Sequence, residues 1–286
     1  MSQKKSPDFI GVGGEKTAST WIYKCLLEHP QICGPKEKEL SYFDTVKLIG
    51  RPEQSQSRYD AEGIEPYLKY FEECNPEKVM GEFTVTYLHE KKVAPLLAQL
   101  FPHVKIIISL RNPIDRSFSQ YQGIREVDRN VYGSFEKALT MEPEFTRRSM
   151  YAEYIETYLA NFPKEQIYIV LQDDVVHDPV GTMQALYRFL GVSDTFVPES
   201  AHTKERSAEQ KKLQTLRDRI YKNSLTRSIA RCAKQLGLTP RIKKFIQSSI
   251  KKDAMKSETR KQLQTVFAED IKKTATLIGR NLSHWN

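Results

Sequence analysis

The strongest structural signal in the chain is the apolar run Val104-Lys-Ile-Ile-Ile-Ser-Leu110, which a helical pattern beginning at Pro113 follows at once. A run that is apolar at successive positions, and not only at alternate ones, predicts a strand buried on both faces, as in a parallel sheet. Neighbouring parallel strands must be joined by long crossovers, which are usually helices. This segment therefore predicts an α/β protein with helices covering both faces of its sheet.

The first two thirds of the chain repeat this alternation. Further strands are predicted at Asp8–Val12, Lys78–Phe83 and Gln166–Leu171. Helical spacing of apolar residues predicts helices at Ser19–His29, Ile64–Cys74, Lys91–Leu100, Pro113–Glu126, Ser149–Asn161 and Pro179–Leu190. We therefore expect a three-layer α/β fold with a central, mainly parallel sheet flanked by helices.

Beyond Gly191 the strand patterns stop, so the carboxyl-terminal region is predicted to be helical. We expect one domain over residues 1–286, made of an α/β core at 7–191, a basic helical segment at 204–252 and a closing helix at 253–286. The basic segment holds fifteen Lys or Arg against three Asp or Glu, a charge of +12, whereas the whole chain carries +8. Basicity confined to one region indicates a surface for anions, or contact with a membrane surface.

The amino terminus and the cysteines bear on location. Residues 1–8 are polar and lead directly into a strand, and no apolar stretch reaches the eighteen residues of a membrane span. The four cysteines, at 25, 33, 74 and 232, form no C-x-x-C pair. We expect reduced thiols rather than a disulfide framework or a zinc site, and a cytoplasmic protein.

A glycine-rich loop follows the first predicted strand, in the segment Gly11-Val-Gly-Gly-Glu-Lys-Thr-Ala-Ser-Thr20. Such a turn points backbone N–H groups and a helix N-terminus at one place, and Lys16 adds a positive charge there. This predicts a phosphate site and makes the fold P-loop-like. The nucleotide triphosphatase pattern G-x-x-x-x-G-K-[ST] is not met, because Glu15 stands directly before Lys16 where the pattern has a glycine. On this loop alone, a nucleotide kinase and an ordinary turn with an exposed lysine both stay open.

A second candidate loop, Arg111-Asn-Pro-Ile-Asp-Arg-Ser-Phe-Ser119, follows the strand that ends at Leu110. Proline favours the first turn of a helix, so Arg111 is predicted at the strand's carboxyl end and Ser119 two turns into the helix. Ligands of open α/β sheets bind at that edge, and a guanidinium offers paired donors to phosphate oxygens. Arg116 is left as either a ligand or a structural ion-pair partner.

Together the two loops resemble the 5′-phosphosulfate and 3′-phosphate loops of the sulfotransferases that use 3′-phosphoadenosine 5′-phosphosulfate (PAPS), especially the heparan-sulfate-type and bacterial carbohydrate enzymes. The resemblance implies PAPS as donor, adenosine 3′,5′-bisphosphate as product, and no required metal. Residues implied to bind the nucleotide are Gly14, Lys16, Thr17, Ala18, Ser19, Thr20, Arg111, Ser119, Tyr151, Lys204 and Arg206.

Two more segments resemble acceptor-cleft segments of the same family. Lys38-Glu-Leu-Ser-Tyr-Phe43 is similar to its K-E-x-x-F-F motif, and Gly81-Glu-Phe-Thr-Val-Thr-Tyr87 to its G-E-K-[ST]-P-x-Y motif. Here Phe83 stands in place of the lysine and Val85 in place of the proline. The resemblance implies Lys38, Glu39 and Thr84 as acceptor-binding residues.

By the same resemblance, Lys16 stabilises the leaving oxygen and Glu82 takes the acceptor's proton. The acceptor is expected to be a hydroxyl or amine of a glycan or a small molecule, and no nucleic-acid partner is expected. Two alternatives remain. One is a P-loop nucleotide-dependent kinase, in which the Gln-Asp-Asp segment at 172–174 would bind magnesium; the other is a non-catalytic anion or nucleic-acid binder. The sequence does not predict the oligomeric state.

Overall fold

The computed structural model describes residues 6–45, 55–127, 131–202 and 254–286. Five parallel strands form one sheet: β1 Phe9–Gly13, β2 Ile32–Cys33, β3 Val79–Phe83, β4 Lys105–Leu110 and β5 Ile167–Leu171. Their order is β2-β3-β1-β4-β5. The run from Val104 to Leu110 is one of the sheet's inner strands, which confirms the parallel α/β prediction.

Twelve helices accompany the sheet in the described part of the chain: α1 Ser19–Glu28, α2 Arg58–Glu62, α3 Glu65–Leu68, α4 Val93–Leu100, α5 Pro113–Val127, α6 Phe135–Met141, α7 Glu144–Arg147, α8 Ala152–Asn161, α9 Gln172–His177, α10 Pro179–Leu190, α11 Glu199–His202 and α12 Ser257–Ile278. Short 3₁₀ turns lie at Lys69–Phe71, Tyr87–His89, Lys164–Gln166 and Ser283–Trp285. The helix expected over 64–74 is instead α3 followed by a 3₁₀ turn. The two-residue strand β2 was not predicted, because two residues give no periodicity to read.

The two faces of the sheet have different surroundings. One face buries Phe9, Phe83, Ile107 and Val170 in a cluster that includes residues of α1 and α10. Successive residues of a strand point to opposite faces, so Glu82 points away from this cluster. On its side lies a second group of packed rings: Tyr42, Phe43, Tyr67, Phe71, Tyr87 and Phe101. The sheet is therefore covered on both faces, as a three-layer fold requires.

The strand order changes direction between β1 and β4. From β1 the chain goes first to β2 and β3 on one side, and it then crosses to β4 on the other side. Such a switch leaves a crevice at the carboxyl ends of the two strands, and this is where open α/β sheets bind ligands. Both candidate phosphate loops begin at these two strand ends.

The cysteines depart from expectation. Cys33 at the end of β2 and Cys74 before β3 form a disulfide, with their Cα atoms 5.8 Å apart, while Cys25 is a buried thiol. The prediction of reduced thiols is therefore wrong for this pair. The two residues are 41 positions apart in sequence, and they meet because β2 pairs with β3 in parallel. Because the two-residue strand could not be predicted, the proximity of the two cysteines could not be predicted either.

The chain divides into two compact units, one made of residues 1–202 and 257–286 and the other of residues 203–256. The basic segment predicted at 204–252 falls in the second unit and lies outside the described residues. None of the helices in the described ranges has both the length and the apolar character needed to span a membrane.

Candidate active site

The loop between β1 and α1 has the backbone of an anion site. Lys16 and Ala18 both have left-handed backbones, with φ of 64° and 71°. This conformation costs a residue with a side chain about 1–2 kcal/mol. It turns successive backbone amides into a concavity. Ala18 is the N-cap of α1 and has no side-chain acceptor for the helix amides, and the first turn contains no acidic residue. The donors at this helix end are therefore available to a bound anion.

Buried hydroxyls support this loop from below. The hydroxyl of Thr17 donates to the carbonyl of Gly14 at 2.5 Å and lies 2.6 Å from Oγ of Ser109 on β4. Ser109 in turn donates to the carbonyl of Gly13 at 2.9 Å. Thr17 is fully buried, whereas Thr20 is exposed. Of these two predicted ligands, Thr20 can offer its hydroxyl to a ligand, and Thr17 contributes through its backbone.

Arg111 joins the second loop to the first. One terminal nitrogen, Nη1, donates to the carbonyl oxygen of Lys16 at 3.3 Å. Burial lowers the pKa of this guanidinium from its usual range, since solvent is partly removed from a charged group. A bound anion would offset that loss. Ser119 lies in α5, two turns beyond Arg111, so the structure brings the two loops together at adjacent strand ends.

Tyr151 and the chain's last helical turn hold the Arg111 loop from behind. The Tyr151 hydroxyl donates to the carbonyl of Arg111 at 2.9 Å, and Tyr151 is buried. The amide of Asn112 donates to the carbonyl of Trp285 at 2.9 Å. Tyr151 is one of the residues implied to bind the nucleotide, and its hydroxyl donates to another part of the protein.

The Gln-Asp-Asp segment of the kinase alternative starts α9, and protein donors occupy both of its carboxylates. Asp173 accepts from the indole nitrogen of Trp285 at 2.7 Å. Asp174 accepts two hydrogen bonds from Arg280, at 2.9 and 3.1 Å. Within the described ranges, no group of three or more His, Cys, Asp or Glu residues is arranged to hold a metal ion.

A buried ion network fixes the residue before Lys16. Glu15 accepts from Arg148 at 3.0 Å and lies 3.5 Å from a terminal nitrogen of Arg116. Both arginines are almost completely buried. Arg116 also donates to the hydroxyl of Ser149 at 2.6 Å. Of the two readings of Arg116 left open by the sequence, this geometry matches the structural ion-pair partner. The sequence did not identify Glu15 or Arg148.

Glu82 lies on β3 on the aromatic face of the sheet and is fully buried. It accepts a hydrogen bond from the hydroxyl of Thr84 at 2.8 Å, and its other oxygen meets no donor in hydrogen-bond geometry among the described residues. Burial raises the pKa of this carboxyl to about 8, although the bond from Thr84 opposes the shift. In its ionised form, a carboxylate with this pKa is a stronger base than an ordinary one and can accept a proton from a hydroxyl or amine.

The predicted acceptor segment lies beside Glu82. Glu39 has a left-handed backbone and accepts from the amide of Val85 at 2.9 Å, so it ties this segment to the end of β3. Lys38 pairs with Glu39, and its ammonium lies 5.4 Å from the centre of the Phe83 ring. Thr84 bonds Glu82, so the three predicted acceptor residues and Glu82 form one connected group.

The departure at position 83 has a packing reason. The Phe83 ring is fully buried, and a Cβ placed on Gly11 would lie only 2.2 Å from it. Phenylalanine here therefore fills space that glycine leaves open on β1. A lysine at this position would put its charge into the apolar cluster under α1.

Two predicted nucleotide ligands, Lys204 and Arg206, lie outside the described residues.

Three features of the site were not predicted: the Glu15 network, the bond from Asn112 to Trp285, and Asp44. Burial raises the pKa of Asp44 to about 6, and this residue accepts a hydrogen bond from Thr86. The only sequence signal for Asp44 was its position directly after Phe43, at the end of the predicted acceptor segment.

Comparison with known proteins places the chain in a family. Residues 7–196 match the model of the sulfotransferase family. Membrane-associated sulfotransferase kil1 of Dictyostelium discoideum is 36% identical over 118 residues, which are 40% of this chain and 22% of that protein. Bifunctional heparan sulfate N-deacetylase/N-sulfotransferase 4 of Mus musculus is 28% identical over 204 residues, covering 65% of this chain and 22% of that protein. The chain thus spans about a fifth of the length of these two curated relatives.

A solved structure resembles nearly the whole chain. The crystal structure of a sulfotransferase from Alicyclobacillus acidocaldarius superimposes with a TM-score of 0.70 at 25% identity, covering 98% of this chain and 99% of that one. The matched family region contains both candidate phosphate loops and both predicted acceptor segments. The chain belongs to the sulfotransferase family.

Proposed function

We propose that this protein transfers a sulfuryl group from PAPS to a hydroxyl or amine of a glycan. The observation that carries the proposal is the bond from Arg111 to the carbonyl of Lys16, which couples two anion-binding loops at adjacent strand ends. A nucleotide with one phosphate on each side of its ribose needs two such loops at a fixed separation. A kinase substrate with a single phosphate chain needs only the first.

The residues present fit such a nucleotide. The amides at the start of α1 suit the 5′-phosphosulfate, and Arg111 with Ser119 suits the 3′-phosphate. Bound there, PAPS supplies a sulfuryl group already activated by its bond to a phosphate. Lys16 then stabilises the negative charge that grows on the oxygen between sulfur and phosphorus.

Glu82 acts on the acceptor. As the acceptor oxygen or nitrogen forms its bond to sulfur, its proton passes to the Glu82 carboxylate, and the bond from sulfur to the phosphate oxygen breaks. Thr84 holds the carboxylate in place by its hydrogen bond. A sulfuryl group carries less charge than a phosphoryl group, so no metal clamp is needed and we propose a metal-independent reaction. The glycan acceptor is supported by the heparan sulfate enzyme among the relatives.

The decisive experiment compares nucleotides. Calorimetric titration with adenosine 3′,5′-bisphosphate and with ATP–magnesium should show tight binding of the first only, unchanged by EDTA. Labelled PAPS with a panel of glycans should then give transfer. Selective binding of ATP, with no affinity for the bisphosphate, would reject the proposal in favour of a kinase.

Two variants separate the roles of the loops. Lys16→Ala should lower turnover by about 100- to 1,000-fold and leave bisphosphate affinity nearly unchanged, because its charge acts on the leaving oxygen. Arg111→Ala should weaken bisphosphate binding by about 10- to 100-fold, since a charge-assisted hydrogen bond contributes roughly 1.5–3 kcal/mol. Normal turnover of the lysine variant would refute its assignment.

A further inference from the structure

Helix α5 contains a glycine in its interior, Gly123, four residues after Ser119. Residues four apart lie on the same helix face, so Gly123 faces the same side as Ser119. Glycine is among the poorest helix formers, and the left-handed backbone that would justify it is absent at this position. The helix itself therefore gains nothing from a glycine here.

The neighbour of Gly123 explains the choice. A Cβ built on Gly123 would lie 2.4 Å from Nζ of Lys16 and 3.1 Å from its Cε, and among the described residues these are its nearest neighbours outside α5. The lysine ammonium thus lies directly against the backbone of α5, in space that any larger residue would fill. The backbone carbonyl of Lys16 accepts a hydrogen bond from Arg111, which lies in the segment that leads into the same helix. Both ends of Lys16 are positioned by this one stretch of chain.

We infer that Gly123 is a positioning residue for sulfuryl transfer: its missing side chain provides the slot in α5 that holds the ammonium of Lys16. The inference rests on the proposed function, in which that ammonium acts on the leaving oxygen. A methyl group at position 123 must push the end of the lysine by about 1 Å to restore normal contact. A displacement of this size near the reacting atoms can lower a rate by about 100-fold.

Gly123→Ala therefore has opposite effects on rate and stability. Alanine is the better helix former, and the clashing atoms are the end of a flexible side chain, so the thermal midpoint should stay the same or rise. Turnover should fall by about 10- to 100-fold. Affinity for adenosine 3′,5′-bisphosphate should stay within two-fold, because neither the α1 amides nor Arg111 is altered. A defect in folding would instead lower the midpoint and the bound fraction together.

The matched control is the other glycine inside a described helix, Gly181 in α10. Its amide donates to Asp178 at 2.9 Å, and a Cβ there would lie 2.1 Å from a carboxylate oxygen of this capping residue. Gly181→Ala should therefore lower the thermal midpoint while turnover per folded molecule stays unchanged. The two variants carry the same chemical change and differ in what the new methyl meets.

A measurement without nucleotide tests the slot directly. In wild type and in Gly123→Ala, the rate at which an amine-reactive acylating reagent labels Lys16 can be followed by peptide mass spectrometry, with Lys69 and Lys164 as internal references. We expect the labelling rate of Lys16 to change at least two-fold and those of the references to stay constant. An unchanged Lys16 rate together with turnover within two-fold of wild type would overturn the inference.

Release of sulfate from labelled PAPS to water serves as the activity readout, so that the acceptor need not be known. The proposed function fails if wild type neither binds the bisphosphate nor cleaves PAPS, or if Lys16→Ala is as active as wild type. The present inference alone fails if Lys16→Ala is inactive but Gly123→Ala retains both full turnover and the wild-type labelling rate. In the double variant, Lys16→Ala with Gly123→Ala, the glycine change should add no further loss.

Discussion

At the scale of single residues, the chemistry of Glu82 is set by its surroundings. The carboxyl is fully buried beneath aromatic rings, and Thr84 supplies one hydrogen bond. Burial raises its pKa to about 8, so at neutral pH most molecules carry it protonated. The same burial that makes the group a stronger base also makes its ionisation costly to the fold.

The raised pKa of Glu82 predicts that turnover and stability change in opposite directions as the pH rises. A base must be ionised to act, so turnover should rise with pH up to about 8. Ionisation also favours the unfolded chain, in which the carboxyl titrates near 4.5, so stability from this group should fall as pH rises from about 4.5 to 8. Glu82→Gln should therefore lose turnover at every pH. Its thermal midpoint should vary less with pH, and at pH 8 it should exceed that of wild type by a few degrees.

Calorimetric scans at several pH values, beside initial rates, measure both effects. Asp44→Asn is the control, because the pKa of Asp44 is raised only to about 6 and its change should flatten the stability curve in a lower pH range. A stability curve that Glu82→Gln leaves unaltered between pH 5 and 8 would contradict the raised pKa.

Glu15 carries a second residue-scale prediction. It is the carboxylate that the buried Arg116 and Arg148 share, so neutralising it leaves buried positive charge without compensation. Glu15→Gln should destabilise the protein by about 3–5 kcal/mol in urea unfolding. Glu62→Gln is the control: it breaks an exposed pair with Arg58, and such pairs contribute about 0.2–1 kcal/mol. Equal effects of the two changes would mean that the buried network does not stabilise the loop.

At the scale of elements, the disulfide connects β2 to the segment before β3. The linked residues are 41 positions apart, and closing a loop of that length stabilises the folded chain by about 4 kcal/mol in the chain-entropy model. The predicted acceptor segment begins just beyond Cys33. Loosening this corner therefore affects the side of the sheet that carries Glu39 and Lys38, and it leaves the α1 loop anchored by Ser109 on β4.

Cys33→Ala with Cys74→Ala should lower the unfolding free energy by about 2–4 kcal/mol, and reductant should have no further effect on the thermal midpoint. Wild type should lose the same amount on reduction, whereas Cys25→Ala should remain sensitive to reductant. A reductant-insensitive wild type would show that the bond does not form. Disulfides are rare in a reducing cytosol, so trapping free thiols in cells also tests the predicted cytoplasmic location, which stays a prediction.

The same elements show what could be read from sequence. The inner strands were predictable from their apolar runs. The helices α1, α4, α5 and α10 were predictable from apolar residues at helical spacing, with a proline or glycine near one end of each. The strand β2 and the disulfide were not, because they depend on pairing between segments far apart. Lys16 and Arg111 could be predicted from loop chemistry, whereas Gly123 acquires meaning only once α5 is seen beside the first loop.

At the scale of the whole molecule, the carboxyl-terminal segment packs against the Arg111 loop at the edge of the sheet. The amides of Tyr151 and Ala152 donate to Asp270 of α12 at 2.8 and 3.1 Å, and Trp285 bridges Asp173 and Asn112. Contacts from distant parts of the chain thus converge on the Arg111 loop. Binding at that loop is therefore expected to be felt by residues that do not touch the nucleotide.

The protein has two tryptophans, and each lies beside one of the two candidate phosphate loops, where its fluorescence can report ligand binding. Trp21 follows Thr20 in the first turn of α1. The backbone carbonyl of Trp285 accepts a hydrogen bond from the side-chain amide of Asn112, the residue after Arg111. Both indoles are buried, so their emission should be blue-shifted and should respond to small movements of either loop. Adenosine 3′,5′-bisphosphate should change the intrinsic fluorescence in a saturable way, and Trp21→Phe and Trp285→Phe should each remove one loop's share. The two tryptophans therefore provide an intrinsic fluorescence assay for donor binding.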